Sequence, residues 1–149
     1  MTMKFYSTKT FGNERGLSCA FRQWRAKSHC NQIHGYSLGF RFIFEADVLD
    51  ERNWVYDFGD TKWIKEYLDV AFDHTTAVAK DDPLLPLFKQ MDKEGGCTLR
   101  IFDSVGCEAF AHMVYVDIAP GVVHKTNGRV RLKSVEVFEH GSNSALYEG

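Results

Sequence analysis

The stretch Leu38-Gly-Phe-Arg-Phe-Ile-Phe-Glu-Ala-Asp-Val48 decides the fold. It sets Phe40, Phe42, Phe44 and Ala46 on one face and Arg41, Ile43 and Glu45 on the other, the period of two of a half-buried strand. The segments before it, roughly 4–11 and 16–23, favour Phe, Ser, Thr and Tyr over helix formers and predict an antiparallel neighbour kinked at Gly12-Asn13. Beyond it, Asp60 or Thr61 can cap a helix with Trp63, Ile64, Tyr67, Leu68 and Ala71 on its buried face, ending near Asp73. Residues 75–94 contain Pro83, Pro86 and the Asp81-Asp82 pair, and read as a long connection with a short helical piece around 84–91.

A short strand at 98–102 follows, and Ser104 opens a second helix carrying Phe110, Met113 and Val114 that should stop before Pro120. Strands at 129–138 and 144–147, on either side of the turn Gly141-Ser142-Asn143, complete the order strand, strand, helix, helix, strand, strand. This order predicts one α+β domain over 1–149, an antiparallel sheet with both helices on one face. A half-apolar open face and two bare edges predict a homo-oligomer closed into a ring.

Composition agrees with one globular unit. In 149 residues, 44% are hydrophobic and 26% charged, and twelve are Phe, well outside the range of disordered chains. Eighteen Lys and Arg against twenty Asp and Glu leave a net charge of -2, so no global field favours nucleic acid or an anionic membrane. No apolar run approaches the ~20 residues of a membrane span, and the start MTMKFYSTKTFG lacks the pattern of a signal peptide, so a cytoplasmic protein is expected. Cys19, Cys30, Cys97 and Cys107 form no CxxC pair and read as free thiols.

Three clusters can carry chemistry: Cys30-Asn31-Gln32-Ile33-His34-Gly35-Tyr36, Asp73-His74, and Glu139 at the end of Val135-Glu136-Val137-Phe138-Glu139. Cys30 follows Arg22, Arg25, Lys27 and His29, an electropositive loop that favours a thiolate and makes it a candidate base or nucleophile. His34 and Tyr36 are two apart on a strand, so imidazole and phenol converge. Asp73 can orient the His74 imidazole for proton transfer. Glu139, a carboxylate beside an apolar strand, suits a planar ligand offering two adjacent N–H donors. Each cluster alone also fits an ordinary structural role; their weight lies in the combination.

The Cys-x-x-x-His-Gly run at 30–35, Asp57-Phe58, Asp73-His74, the helix-opening Glu108 and the Val-x-Val-x-Glu ending at Glu139 resemble, in the same order, the 6-pyruvoyl-tetrahydropterin synthase and 6-carboxytetrahydropterin synthase superfamily. The resemblance implies the tunnelling fold (T-fold), whose subunits join sheets into an oligomeric barrel, a trimer or a hexamer of two stacked trimers, with active sites between subunits. It implies Cys30 as proton-transfer base supported by Asp73 and His74, and Glu139 as the anchor of a pterin ring, with Glu108 beside the substrate; the Tyr36 phenol, by its own chemistry, can hydrogen-bond a substrate side-chain oxygen. The spacing of Cys30 to His34-Gly35 is similar to that of the bacterial carboxytetrahydropterin synthases of queuosine and deazapurine synthesis.

The family also binds a catalytic zinc through three histidines and uses no organic cofactor. Here only His34 stands at such a position, because Phe21 and Tyr36 occupy the other two. Phe21 offers no donor, so the family's metal site should hold zinc poorly. Cys19 shares a strand face with Phe21 and His29 lies near Cys30, which leaves a rebuilt site from Cys19, His34 and Tyr36 or His29 as an alternative. The resulting expectation is a lyase acting on dihydroneopterin triphosphate or a related pterin, with Arg22, Arg25 or Lys27 meeting phosphates. The alternatives are a pterin- or purine-binding protein that kept the pocket without zinc-dependent lyase chemistry, and a structural, partner-binding subunit.

Overall fold

Strand β3 (His34–Ala46) carries the sheet in the computed structural model, which describes residues 3–149. Met1 and Thr2, the first residues of the single-domain range 1–149, lie outside the described residues. Strands β1 (Phe5–Phe11) and β2 (Leu17–Phe21) lie end to end along one edge of β3, both antiparallel to it, with Phe11 opposite Phe40 and Leu17 opposite Leu38. A 3₁₀ turn over Asn13–Arg15 makes the kink between them. On the other edge, β6 (Val130–His140) sets Val135 opposite Phe42, and β7 (Asn143–Glu148) pairs antiparallel with β6.

The helices explain why one face of β3 is apolar. Helix α1 (Lys62–Phe72) contributes Ile64, Leu68 and Phe72 to the core, and the long helix α3 (Cys107–Lys125) contributes Phe110, Val114, Ile118 and Val122. Phe40, Phe42 and Phe44 are fully buried against them. Phe72 links the layers, its ring 5.0 Å from both Phe40 and Phe110. The two helices touch at Gly121, where a Cβ would lie 2.7 Å from the Trp63 ring. On the opposite face the buried carboxylate of Glu45 is paired with Lys4 and, at 3.2 Å, with Arg131. Those cations hold it below the usual carboxylate range against the cost of burial.

The α+β expectation stands, with three corrections. The sheet is mixed: β4 (Thr75–Ala79) runs parallel to β2, and β5 (Leu99–Phe102) runs parallel to β4. Residues 75–79, read as connection, form a strand because Ala77, Val78 and Ala79 are buried in succession, and a parallel strand covered on both sides shows no alternation. The short helix in that region is α2 (Leu85–Lys93). The last helix starts at Cys107 instead of Ser104 and runs through Pro120. Pro120 is exposed, as is Val116 four residues earlier, so water can replace the amide that proline lacks.

Phe42→Ala is expected to cost about 3–5 kcal/mol of stability, the range for emptying a packed aromatic site. In urea unfolding the midpoint should fall while the slope stays constant.

Candidate active site

Where β2 ends and β3 begins, the sheet meets the start of α3 around a cavity of ≈ 260 Å³. Phe21 and Tyr36 come from β2 and β3, Glu139 from β6, and Asn143 and Ser144 from β7. Gln23 and Cys30 come from the loop after β2, and Cys107 and Glu108 from the first turn of α3. Strand parity puts Tyr36 on the same face as Leu38 and Phe40, while Glu139 reaches the cavity from the register shift between Phe138 and His140 at the end of β6. Both polar groups are thus carried to the edge of the aromatic core.

The loop after β2 is held by a few specific bonds. Gln23 donates its amide N–H to the Cys30 carbonyl at 2.9 Å and its side-chain N–H to the Val105 carbonyl at 3.1 Å, so one residue ties both thiol-bearing segments together. Gly106 must be glycine there: its φ is 114°, and a Cβ would lie 2.1 Å from Gln23 Nε2. Cys30 lies in a 3₁₀ turn over His29–Asn31, its N–H donating to Ser28 Oγ at 3.3 Å. Arg22 anchors the loop from behind, with two bonds to the Asp82 carboxylate at 2.9 and 2.6 Å and a third to the Asn31 carbonyl at 2.9 Å.

Two neutral acids face Glu139. Burial pushes the Tyr36 phenol up to about 12, and hydrogen bonding to the Glu139 carboxylate adds to the shift. Burial likewise pushes the Cys107 thiol up to about 12, with the charges of Glu139 and Glu108 adding to it. Both groups therefore keep their protons at neutral pH and are available as hydrogen-bond donors.

The residues at the family's zinc positions do not fit that metal. Phe21 and Tyr36 stack with ring centroids 4.7 Å apart, and Phe21 also meets Phe110 edge to face. An aromatic pair thus stands where two imidazoles would be needed, and only His34 offers an ordinary zinc donor. The proposed replacements are not assembled. Cys19 is 1% exposed, accepts a hydrogen bond from Thr75 Oγ1, and is pushed up to about 11 by burial, so it is a core thiol. His29 and His34 lie edge to face at 5.9 Å, with His34 Nδ1 at 2.8 Å from the Gln32 carbonyl. Among the described residues no three His, Cys, Asp or Glu side chains converge as a metal site.

Asp73 and His74 lie elsewhere in the protomer. Asp73 Oδ1 accepts the Ser18 N–H at 3.1 Å and lies 2.9 Å from His74 Nδ1, near the start of β2. The cavity is at the far end of that strand, beyond Phe21, roughly 10 Å away at the usual rise per residue. His74 has a positive φ of 58° and is 84% exposed, so it points its ring away from the protomer's own core. The basic residues expected to meet phosphates are already engaged: Arg22 by Asp82, and Arg25 by Asp81 at 2.9 Å while stacked on Trp24. Lys27 is exposed and does not line the cavity.

Sequence reasoning named Cys30, Tyr36, Glu108 and Glu139, which the structure brings to one cavity, but missed Gln23, Cys107, Asn143 and Ser144. Gly106-Cys107 at a helix start was the available signal for Cys107. A larger apolar hollow of ≈ 520 Å³ lies between β1 and the loop before α1, walled by Phe5, Trp54, Tyr56 and Phe58. Its carboxylate, Asp57, is spent capping the Gly59 N–H at 2.8 Å.

Comparison with known proteins gives a consistent result. The family model described as 6-pyruvoyl tetrahydropterin synthase matches residues 11–149. No curated protein sequence matches the chain. Among solved structures, an uncharacterized protein from Wolinella succinogenes superposes with a TM-score of 0.83 at 18% identity, covering 99% of each chain. A catalytic-residue mutant of Plasmodium vivax 6-pyruvoyltetrahydropterin synthase superposes at 0.67 with 13% identity, covering 99% of this chain and 98% of that one. The Caenorhabditis elegans 6-pyruvoyl tetrahydropterin synthase superposes at 0.61 with 17% identity, covering 99% and 95%. At these identities the structures speak for the fold.

The Arg22–Asp82 clamp sets an acid limit on stability. Arg22 holds the Asp82 carboxyl below its ordinary value, so the clamp's contribution is complete above an unfolded carboxylate pKa of about 3.9 and is lost as pH falls through the lower folded value. Asp82 has a side chain only 1% exposed, and Asp82→Asn should cost about 3 kcal/mol at neutral pH by leaving the guanidinium without its partner. Thermal unfolding from pH 7 to pH 2 should show a smaller acid loss in the variant than in the parent.

Proposed function

The chain belongs to the 6-pyruvoyl tetrahydropterin synthase family, and from that premise we propose that it is a lyase-type enzyme of pterin metabolism whose substrate is dihydroneopterin triphosphate or a related pterin. The observation that carries the proposal is the shared cavity of Cys30, Tyr36 and Glu139, in which an acid at a strand end faces groups that hold protons. Glu139 accepts two N–H bonds from the 2-amino-4-oxopyrimidine edge, a charge-assisted pairing that fixes ring orientation. Cys30, exposed at the cavity wall, takes a proton from the substrate side chain, and the Tyr36 phenol donates to a side-chain oxygen. No step is assigned to zinc, since the donor set does not fit it.

Asp73 and His74 enter this scheme from a second copy of the chain. They lie too far from Cys30 to act within one protomer, and the exposed His74 ring is free to reach a neighbour's cavity. The outer edges of β1 and β7 support such an assembly, because each strand pairs on one side only among the described residues. Edge-to-edge closure gives a trimeric or hexameric barrel of the T-fold kind, placed in the cytosol. No helix among the described residues is long and apolar enough to cross a membrane.

A second reading is favoured by the Phe21–Tyr36 stack, which fills the place of two metal ligands. On that reading the protein binds a pterin or purine and performs no lyase chemistry. The two separate at Cys30: Cys30→Ala should lower kcat at least about 100-fold while KM holds, the scale of a lost general base. Unchanged turnover in the variant removes Cys30 from the role of base, and no turnover in the parent with binding intact selects the binding protein.

Glu139→Ala should weaken pterin binding by about 2–3 kcal/mol, roughly 30- to 150-fold, by calorimetric titration. Mixing Cys30→Ala with His74→Ala subunits should recover part of the activity that each variant lacks alone. No recovery, in oligomers shown to be mixed, removes the shared-site arrangement.

A further inference from the structure

The end of the protomer that carries Asp73 and His74 also carries a cation without a counter-charge. Arg15 closes the 3₁₀ turn between β1 and β2, is exposed, and its side chain makes no hydrogen bond or ion pair among the described residues. It lines a small hollow of ≈ 110 Å³ together with Asp73, Lys65 and Asp69. The other charges there are already matched, Lys65 by Asp69 at 2.6 Å and Asp73 by the Ser18 N–H and His74. Glu14, next in the turn, leans back over Gly12, where a Cβ would lie 2.3 Å from its Oε2. The turn itself is fixed. Asn13 donates its side-chain N–H groups to the Ser37 carbonyl at 2.6 Å and the Phe138 carbonyl at 3.2 Å, and Ser37 Oγ donates back to the Asn13 carbonyl. Gly16, at a φ of 66°, then leads the chain into β2.

We infer that Arg15, brought by a second copy together with Asp73 and His74, is the residue that meets the ligand's triphosphate at the neighbour's cavity. The inference rests on the shared-site reading of the pterin cavity and names a cation that the cavity receives from the next subunit. Within one protomer Arg22 and Arg25 are turned to Asp82 and Asp81, whereas Arg15 stands with Asp73 at the opposite end of β2 from the cavity and reaches the ligand from the same side as they do. Its guanidinium offers two parallel N–H donors to phosphate oxygens, a fork that lysine does not reproduce. Because the turn is already tied to β3 and β6, little backbone freedom is lost when the phosphate is met. Arg15 is then a specificity residue: the ring is held by Glu139, and Arg15 separates the phosphorylated ligand from its unphosphorylated relative.

The test is equilibrium titration of the full-length protein with 7,8-dihydroneopterin and with its triphosphate, followed by pterin fluorescence, in the parent, Arg15→Ala and Arg15→Lys. Arg15→Ala should weaken triphosphate binding at least about tenfold, the scale of a lost charge-assisted pair, and leave dihydroneopterin within about twofold, with Arg15→Lys in between. Mixing Arg15→Ala subunits with Glu139→Ala subunits should restore a share of the tight triphosphate sites, since an intact cavity then sits beside an intact Arg15. Unchanged triphosphate affinity in Arg15→Ala, an equal loss for both ligands, or no recovery in oligomers shown to be mixed overturns the inference and leaves the pterin site standing. Binding of neither ligand by the parent, or binding of both that survives Glu139→Ala, sinks the pterin reading and the inference with it.

Discussion

Everything in this molecule depends on the alternation of β3. Thirteen residues of one strand must keep Phe40, Phe42 and Phe44 under the helices, and a slip of one residue would send all three rings to the charged face. That constraint fixes register on both edges at once, toward β1 and β2 on one side and toward β6 on the other. It also fixes the site. Tyr36 belongs to the same row as the phenylalanines, so packing the core aims it into the cavity, which Glu139 lines from the register shift at the end of β6. The candidate site is the polar end of a hydrophobic stripe.

This explains which features could be read in the chain. The β3 stripe, the α1 face and the Val-x-Val-x-Glu strand obey periods of 2 or 3.6, and so were legible. Strand β4 obeys neither, because a parallel strand covered on both sides needs only small apolar residues. The helix through Pro120 depends on exposure of that one turn, which no local pattern reports. Within the site, Cys30, Tyr36 and Glu139 were legible from their own strands and loop. Gln23 and Cys107 were not, because what joins them is a tertiary hydrogen bond to the Val105 carbonyl beside a glycine of special geometry. The remoteness of Asp73 and His74 follows from the register of β4 on β2, which a sequence read strand by strand does not contain.

An aromatic pair at Phe21 and Tyr36 and a carboxylate at Glu139 are physically compatible in one wall. An aromatic pair at Phe21 and Tyr36 continues the packing of Phe72 and Phe110 outward, so the cavity wall needs no bound ion to hold its shape. The wall gains rigidity from stacking, worth about 0.5–1.5 kcal/mol beyond the area buried. Meanwhile the acid shares the cavity with the neutral polar groups of Gln23, Asn143 and Ser144 as well as with apolar side chains.

The Tyr36–Glu139 contact connects recognition to chemistry on the proposed reading. In the cavity the phenol lies on the same wall as the carboxylate, whose charge helps hold the phenolic proton. A ligand that lays two N–H donors on Glu139 takes over that acceptor, and a half-buried phenol left without a partner loses up to about 1 kcal/mol. The hydroxyl recovers that cost only by donating to an acceptor on the ligand. A heterocycle with an oxygen on its side chain supplies one, whereas a bare ring does not. Selectivity for the side chain therefore arises at the ring anchor, and the proton of Tyr36 is directed to the atom where it is useful only after the ring is in place.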